Sequence, residues 1–206
     1  MKKYISLILI LIVCIKVSSQ NLRLWFNEPA KQWVEALPLG NSRLGVMVYG
    51  GIEKDELQLN EETIWGGAPH DNNGTSALAN LTEVRRLVFA DKTTEAQKLI
   101  DATFRTGQNG MPYQTAGSLF LSFPGQENAT DYCRELNLET AVATTRYKVN
   151  GVSYTREYFT SFTDNVIVVR LTADKKGALS FMVNYTSPLK NEIFAHNNKL
   201  ILRQYG

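Results

Sequence analysis

The chain contains 206 residues, of which 44% are hydrophobic and 20% are charged, and its formal net charge is +2. This is the composition of an ordinary globular protein, and the length is sufficient for one substantial hydrophobic core. The sequence has no long block of Lys or Arg residues and no basic residues interleaved with aromatic ones, so a nucleic acid is not an expected partner.

The N-terminus has the pattern of an export signal. Lys2 and Lys3 are basic, Ile5 to Ile15 form an almost uninterrupted apolar run, and Val17–Ser19 place small residues near a cleavage point. This run is too short for a comfortable membrane span but is typical of a signal peptide. Residues 1–19 are therefore predicted to be a signal peptide and the mature chain to be periplasmic or extracellular, with no stable membrane anchor. An uncleaved anchor is the alternative.

Few residues are suited to binding a transition metal. The histidines are His70 and His196, and removal of the signal peptide leaves Cys133 as the single cysteine of the mature chain. No internal disulfide can then form, so packing must hold the fold. A metal site built from His and Cys side chains is not expected, and no cofactor is predicted.

From Leu44 onward, short β-type runs alternate with turn signals, which predicts neighbouring antiparallel strands. In the run from Arg43 to Tyr49, the side chains of Leu44, Val46 and Val48 lie on one side, and a polar turn is predicted at Glu53 to Glu56. Further strands are predicted at Leu119 to Phe123, Arg146 to Val149, Val152 to Phe159, Asn165 to Leu171, Leu179 to Tyr185 and Lys199 to Arg203. The predicted fold is all-β, mainly an antiparallel β-sandwich or supersandwich.

Two strand signals are specific. The pair Asn150-Gly151 supplies the two positive φ angles of a type I′ turn, so it predicts a hairpin. The run from Val166 to Val169 is apolar at every position, which is expected of a strand that is covered on both faces.

Two short helices are predicted among the strands, at Leu81 to Ala90 and at Thr93 to Phe104. In the first, Leu81, Val84, Leu87 and Val88 share one face. Asn80 is predicted to be its N-cap, with Glu83 completing a capping box.

The most unusual residues lie between Leu24 and Pro69. They include WFNEPAKQWVEALPLGNSRLGVMVYGG, which begins at Trp25, and LQLNEETIWGGAP, which begins at Leu57. Both stretches resemble the N-terminal signature of glycoside hydrolase family 95. Later elements follow in the family's order, at Pro112–Gln114, Gly117–Leu119, Tyr132–Leu138 and Val152–Phe159. The chain departs from the family at Ser42, where a second glycine is more common, and at Thr115-Ala116, where a proline-leucine pair is more common.

The resemblance implies an enzyme built from an N-terminal β-sandwich, a helical linker, an (α/α)6 barrel and a C-terminal β-domain. Such enzymes release α-linked L-fucose, or the related α-L-galactose, by inversion, and their acid and water-activating groups lie in the barrel. Residues 20–206 are interpreted as the N-terminal domain, incomplete at its C-terminus because the chain stops straight after a predicted strand. The barrel is the expected partner, a fucosylated glycan is contacted indirectly, and no catalytic residue is expected in this chain.

The carboxylates of the motif do not form an opposed acid pair. Glycoside hydrolysis needs two carboxyl groups facing one bond, about 5 Å apart for retention or about 6.5 to 9.5 Å for inversion. Glu61 and Glu62 are neighbours in an extended stretch, so their side chains point to opposite faces. Asp55 and Glu56 fail for similar reasons, and these carboxylates are expected to be solvated or to cap backbone amides.

The candidate residues near the substrate or the barrel are Asn60, Glu61, Thr63 and Trp65. Polar groups beside an indole suit a sugar, because hydroxyls need hydrogen bonds and the ring face stacks on aromatic side chains. For the three tryptophans, burial in the core or in a docking face is favoured over direct sugar contact. The preferred hypothesis is that Leu59 to Gly67 abuts the barrel and shapes its entrance. The alternatives are a free-standing carbohydrate-binding β-sandwich and an unstable product of a split gene.

Overall fold

The structure is a computed structural model that describes residues 22–68, 71, 73–104 and 111–205. The strands are β1 (Arg23–Phe26), β2 (Leu37–Gly40), β3 (Leu44–Val48), β4 (Lys54–Glu61), β5 (Gly117–Ser122), β6 (Thr130–Asn137), β7 (Val142–Val149), β8 (Val152–Ser161), β9 (Val166–Ala173), β10 (Met182–Thr186), β11 (Lys190–His196) and β12 (Lys199–Tyr205). The helices are α1 (Ala77–Phe89) and α2 (Thr93–Thr103), and a 3-10 turn lies at Trp33–Glu35. The predicted signal peptide and His70 lie outside the described residues.

Two five-stranded antiparallel sheets face each other across the core. The strand order is β1-β6-β7-β8-β9 in the first sheet and β10-β5-β4-β3-β2 in the second, and β11 pairs with β12 as a separate hairpin. Alternate side chains of each strand point inward, so both sheets contribute to one apolar layer. Its buried members are Leu37, Leu39, Val46, Val48, Leu57, Leu121, Phe123, Leu136, Ala143 and Tyr158. The predicted β-sandwich with two helices is confirmed.

The Asn150-Gly151 hairpin is present as predicted. Both residues have positive φ, +50° for Asn150 and +78° for Gly151, and Val149 pairs with Val152 across the turn. The requirement for glycine is conformational, because a Cβ on Gly151 would meet nothing within 4 Å.

The prediction that the Val166–Val169 run is covered on both faces is wrong for the described residues. β9 is the edge strand of its sheet. Ile167 and Val169 pack against the core from one face, whereas Val166 on the other face is 42% exposed. An apolar run therefore does not by itself show that both faces of a strand are covered.

The capping box predicted at α1 is also wrong. The helix begins one turn earlier, so Asn80 lies inside it and its Nδ2 donates to the Ser76 carbonyl at 2.9 Å. Glu83 instead pairs with Arg86 at 2.7 Å. Val88, which was expected on the packed face, is 50% exposed. The spacing therefore predicts the helix itself but not where it starts or which residues it buries.

Asp55 is buried rather than solvated, which corrects the prediction of a polar turn there. β4 already begins at Lys54, and the Asp55 side chain is fully buried between the sheets. Its Oδ2 accepts a hydrogen bond from the Tyr158 hydroxyl and lies 3.4 Å from Arg156 Nη1. Its Oδ1 accepts from the Gly51 amide at 3.0 Å. Burial raises the pKa of Asp55, and the nearby guanidinium and hydrogen bonds oppose that shift.

Arg156 makes the remaining contacts of this buried network. Its guanidinium donates to the carbonyls of Gly51 and Ile52, each at 2.5 Å, and to the Tyr147 hydroxyl. The guanidinium also lies 3.7 Å from the centroid of the Phe123 ring. The network joins the two sheets, because Arg156 belongs to β8 whereas its carbonyl partners lie in the loop that leads into β4.

Candidate functional site

The candidate segment, Leu59 to Gly67, comprises the last three residues of β4 and the turn that follows them. After Glu61 the chain turns, and Trp65 forms an isolated antiparallel bridge with Tyr113. The backbone amides of Gly66 and Gln114 donate across this bridge to carbonyls of the opposite segment, at 2.8 and 3.0 Å. These bonds hold the turn against the segment that precedes β5.

The Glu61 carboxylate organises the turn. Its Oε1 accepts from Arg43 Nε at 2.8 Å, and its Oε2 accepts from the Thr63 amide at 2.9 Å and the Thr63 hydroxyl at 2.6 Å. The hydrogen bonds from Thr63, assisted by Arg43, lower the pKa of Glu61. Glu61 is therefore held ionised as an acceptor and is not suited to donating a proton as a general acid. Its neighbour Glu62 is exposed.

Tyr113 connects the remaining candidates. Its hydroxyl lies 2.5 Å from Asn60 Oδ1 and 2.8 Å from the Glu61 carbonyl oxygen. Its ring makes an edge-to-face contact with Trp65, with centroids 4.8 Å apart and planes at 70°. The indole Nε1 of Trp65 donates to the Glu62 carbonyl at 3.0 Å. The structure thus brings Asn60, Glu61, Thr63 and Trp65 into one cluster.

Tyr113 and Arg43 were not among the candidates predicted from the sequence. Both belong to stretches that resemble the family signature, which was the available signal. Their contacts link positions far apart in the chain, 53 residues for Tyr113 with Asn60 and 18 for Arg43 with Glu61. Local spacing cannot reveal such pairings, because they depend on the order of strands in the sheet.

The tryptophans are on the surface. Trp25, Trp33 and Trp65 are 58%, 56% and 50% exposed, so burial in the core is wrong for all three. A role in a docking face or in sugar contact is compatible with these exposures. Both Trp65 and Trp33 lie near Tyr113: Trp65 contacts its ring, and Trp33 lines a groove with it.

This groove lies on the outer face of the second sheet and has a volume of about 480 Å³. It is lined by Trp33, Leu39, Gly45, Val46, Met47, Gln58, Leu59, Asn60, Tyr113 and Thr115. No lining residue is of an acidic or basic type. The Trp33–Glu35 turn carries one of the lining residues, Trp33, and it is held in place because Arg134 Nη1 donates to the Glu35 carbonyl at 2.7 Å.

Within residues 22–68, 71, 73–104 and 111–205, no three His, Cys, Asp or Glu side chains come together in a group that could hold a metal ion. Over the same residues, no helix is both long enough and apolar enough to cross a bilayer.

The fold and the matches with known proteins place the chain among the N-terminal domains of glycoside hydrolases. It belongs to the family described as "Glycosyl hydrolase family 65, N-terminal domain", whose model matches residues 24–205. It is 40% identical over 194 residues to alpha-L-fucosidase 2 of Arabidopsis thaliana, covering 90% of this chain and 22% of that protein. It is 29% identical over 196 residues to the probable alpha-fucosidase A of Aspergillus niger, covering 89% of this chain and 24% of that protein.

These matches confirm the resemblance to the N-terminal domain of an α-L-fucosidase-type glycoside hydrolase that the sequence motifs indicated. The chain spans less than a quarter of the length of these two relatives.

Proposed function

We propose that the chain is the N-terminal accessory domain of an exported α-L-fucosidase-type glycoside hydrolase. The parent enzyme removes terminal α-L-fucose, or α-L-galactose, from glycans by inversion, and an (α/α)6 barrel outside this chain carries the acid and the water-activating group. The observation that supports this role is the match of nearly the whole chain to less than a quarter of an α-L-fucosidase. The chain alone does not hydrolyse glycosides.

The contacts of two carboxylates, Glu61 and Asp55, support the last statement. Glu61 is occupied by Arg43 and Thr63, and Asp55 is buried beside Arg156. Neither carboxylate is free to face a glycosidic bond with a second one at the separation that hydrolysis needs.

The accessory role is assigned to the Leu59 to Gly67 segment, which abuts the barrel and shapes its entrance. Trp65 and Tyr113 are 50% and 45% exposed, yet a backbone bridge and an edge-to-face ring contact hold them rigidly. A fixed, exposed aromatic pair is suited to docking, because little conformational entropy is lost when it is covered.

The test uses the full-length parent enzyme and an aryl α-L-fucoside. Trp65→Ala is expected to lower kcat/KM or the thermal midpoint of the parent, and this chain alone is expected to give no turnover. Trp25→Ala is the matched control, since Trp25 is similarly exposed but lies on β1 of the other sheet. Unchanged turnover together with unchanged stability in Trp65→Ala would refute the docking role.

The exposed tryptophans also favour a second candidate, a free-standing carbohydrate-binding β-sandwich. A free-standing module does not associate with a barrel, whereas an accessory domain does. Co-purification of the chain with the separately produced barrel region of the parent separates the two.

Export is tested by N-terminal sequencing of the secreted product, which is expected to begin near Gln20.

A further inference from the structure

We propose that the groove on the outer face of β3 and β4 is a binding subsite for a neutral saccharide. It adjoins the candidate segment Leu59 to Gly67 and shares Leu59 and Asn60 with it, whereas the rest of its lining comes from residues outside that segment. Its volume of about 480 Å³ is within the range of small-molecule sites.

The floor of the groove follows from strand alternation. Val46 and Leu57 point into the core, so their neighbours Gly45, Met47 and Gln58 face outward. Gly45 contributes no side chain, and a Cβ there would lie 3.4 Å from Asn60 Cβ. The absence of a side chain at this position keeps the groove open above Asn60.

The polar groups of the groove favour a hydrogen-bonding ligand. The Oε1 atom of Gln58 is buried and has no hydrogen-bond partner among the described residues. An acceptor left unpaired in this way is costly, and a sugar hydroxyl is a donor of the right size to satisfy it. Asn60 Oδ1 already accepts from Tyr113, so the part of this amide left to bind a sugar oxygen is Nδ2, a donor.

The walls of the groove favour a sugar ring without a charge. Trp33 is 56% exposed and Tyr113 is 45% exposed, so each presents a ring on which the apolar face of a pyranose can stack. No lining side chain is acidic or basic, so a charged ligand would lose its hydration without gaining a counter-charge. The chemistry therefore selects a neutral saccharide over an anionic one.

This inference rests on the proposed function for the kind of glycan involved. If Leu59 to Gly67 rims the barrel, the groove beside it is placed to hold the neutral sugars that follow the terminal residue of the glycan. The parent would then recognise part of its substrate through this domain, in addition to the sugar that it releases.

The test is an NMR titration of the full chain, labelled with ¹⁵N, with fucosyllactose. The anionic trisaccharide sialyllactose serves as the control of matched size. Saturable shifts are expected for the Gln58 and Asn60 side-chain amides and the Trp33 indole with fucosyllactose, and no saturable shift with sialyllactose. Absence of saturable fucosyllactose binding, or equal binding of the two sugars, would overturn the proposal.

Three variants locate the binding. Trp33→Ala and Gln58→Leu are each expected to weaken fucosyllactose binding by about fivefold or more, because one loses the stacking surface and the other the acceptor. Trp25→Ala, on the other sheet, is expected to leave it unchanged. Gln58→Leu is also expected to leave the chain at least as stable, since it removes a buried unpaired acceptor.

Binding that is unaffected by both groove variants would place the sugar elsewhere and overturn the assignment. Failure of the proposed function is measured separately, by the turnover of the parent enzyme carrying Trp65→Ala and by association of the chain with the barrel region. Neither of those measurements depends on Trp33 or Gln58.

Discussion

Two arginine–carboxylate pairs lie at opposite ends of β4, and they differ in almost every physical respect. Near the start of the strand, Asp55 and Arg156 have side chains that are 0% and 2% exposed. At its end, Glu61 and Arg43 are 18% and 53% exposed. The same chemical pairing therefore joins the two sheets in one place and shapes a surface turn in the other. Burial, rather than the identity of the ions, decides which role a pair takes.

Removing Arg156 is expected to produce the largest effect. Arg156→Met leaves the Asp55 carboxyl buried without its cation and the Gly51 and Ile52 carbonyls without a donor. The expected loss is about 3 to 5 kcal/mol in the free energy of unfolding, measured by urea denaturation. Arg43→Met is the matched control at the exposed pair. Equal losses in the two variants would contradict the distinction between the pairs.

The double variant Asp55→Leu/Arg156→Met sharpens this result. Replacing both ions by apolar residues removes the uncompensated charge, so part of the loss seen in Arg156→Met is expected to be recovered, while the Gly51 and Ile52 carbonyls stay without their donor. If the double variant is as unstable as the single one, the network contributes mainly through its hydrogen bonds to the backbone rather than through charge.

The two carboxylates are also expected to respond to pH in opposite directions. Burial raises the pKa of Asp55 above its ordinary 3.8, so its contribution to stability is complete below that pH and is lost as pH rises through the folded-state pKa. Hydrogen bonds from Thr63 lower the pKa of Glu61 below 4.5, so its contribution is present above pH 4.5 and is lost as pH falls through the folded-state pKa. Carbon-detected NMR titration of both carboxyls measures the two shifts directly.

Unfolding free energies of Asp55→Asn and Glu61→Gln, measured against pH, check the same signs. The loss of unfolding free energy that Asp55→Asn causes, relative to the unmodified chain, is expected to become smaller as pH rises above 3.8. The loss of unfolding free energy that Glu61→Gln causes is expected to become smaller as pH falls below 4.5. Parallel curves for the two variants would show that the environments do not differ as described.

A smaller and stabilising effect is expected next to the exposed pair. Ser42 has φ +76° in the turn between β2 and β3, where hairpin turns commonly require glycine and where the related family more often has it. Ser42→Gly is therefore expected to raise the free energy of unfolding by about 1 kcal/mol, because it relieves an unfavourable backbone conformation. Ser42→Ala is the control, since it removes the hydroxyl but keeps the strain. A gain in both variants would attribute the effect to the hydroxyl.

The smallest change in stability is expected from Glu61→Gln at neutral pH. The pair is exposed, so its removal is expected to leave the thermal midpoint nearly unchanged. The Thr63 amide should nevertheless exchange with solvent faster, because it loses a charged acceptor at 2.9 Å. Amide hydrogen exchange measures this local effect. Unchanged protection of Thr63 would show that the carboxylate does not order the turn.

The parts of the fold that depend only on residues close together in the sequence were predictable. The Asn150-Gly151 hairpin follows from two backbone angles, and the alternation in β3 identifies Val46 and Val48 as core residues, 2% and 1% exposed. The position of Asn80 was not predictable in the same way, because several polar residues precede α1 and only tertiary contacts select the true start. The Ser76 hydroxyl, for example, donates to the Thr103 carbonyl at the end of α2.

The candidate site was predictable only in part. Asn60, Glu61, Thr63 and Trp65 could be chosen because they are contiguous, whereas Tyr113 and Arg43 reach them through sheet pairing. The burial of Asp55 could not be foreseen, because a short acidic stretch after two glycines has the composition of a solvated turn. Its partner Arg156 lies 101 residues away.

The alternating pattern of β4 gives the Asp55 contact one more consequence. A slip of one residue in the pairing of this strand would move Asp55 to the solvent face and turn Gln58 inward. The Arg156 cation would then remain in the interior without its carboxylate. The ion pair thus specifies the alignment of the whole strand from one end. The outward-facing positions at the other end are therefore kept on the solvent face by a contact that lies outside their own cluster.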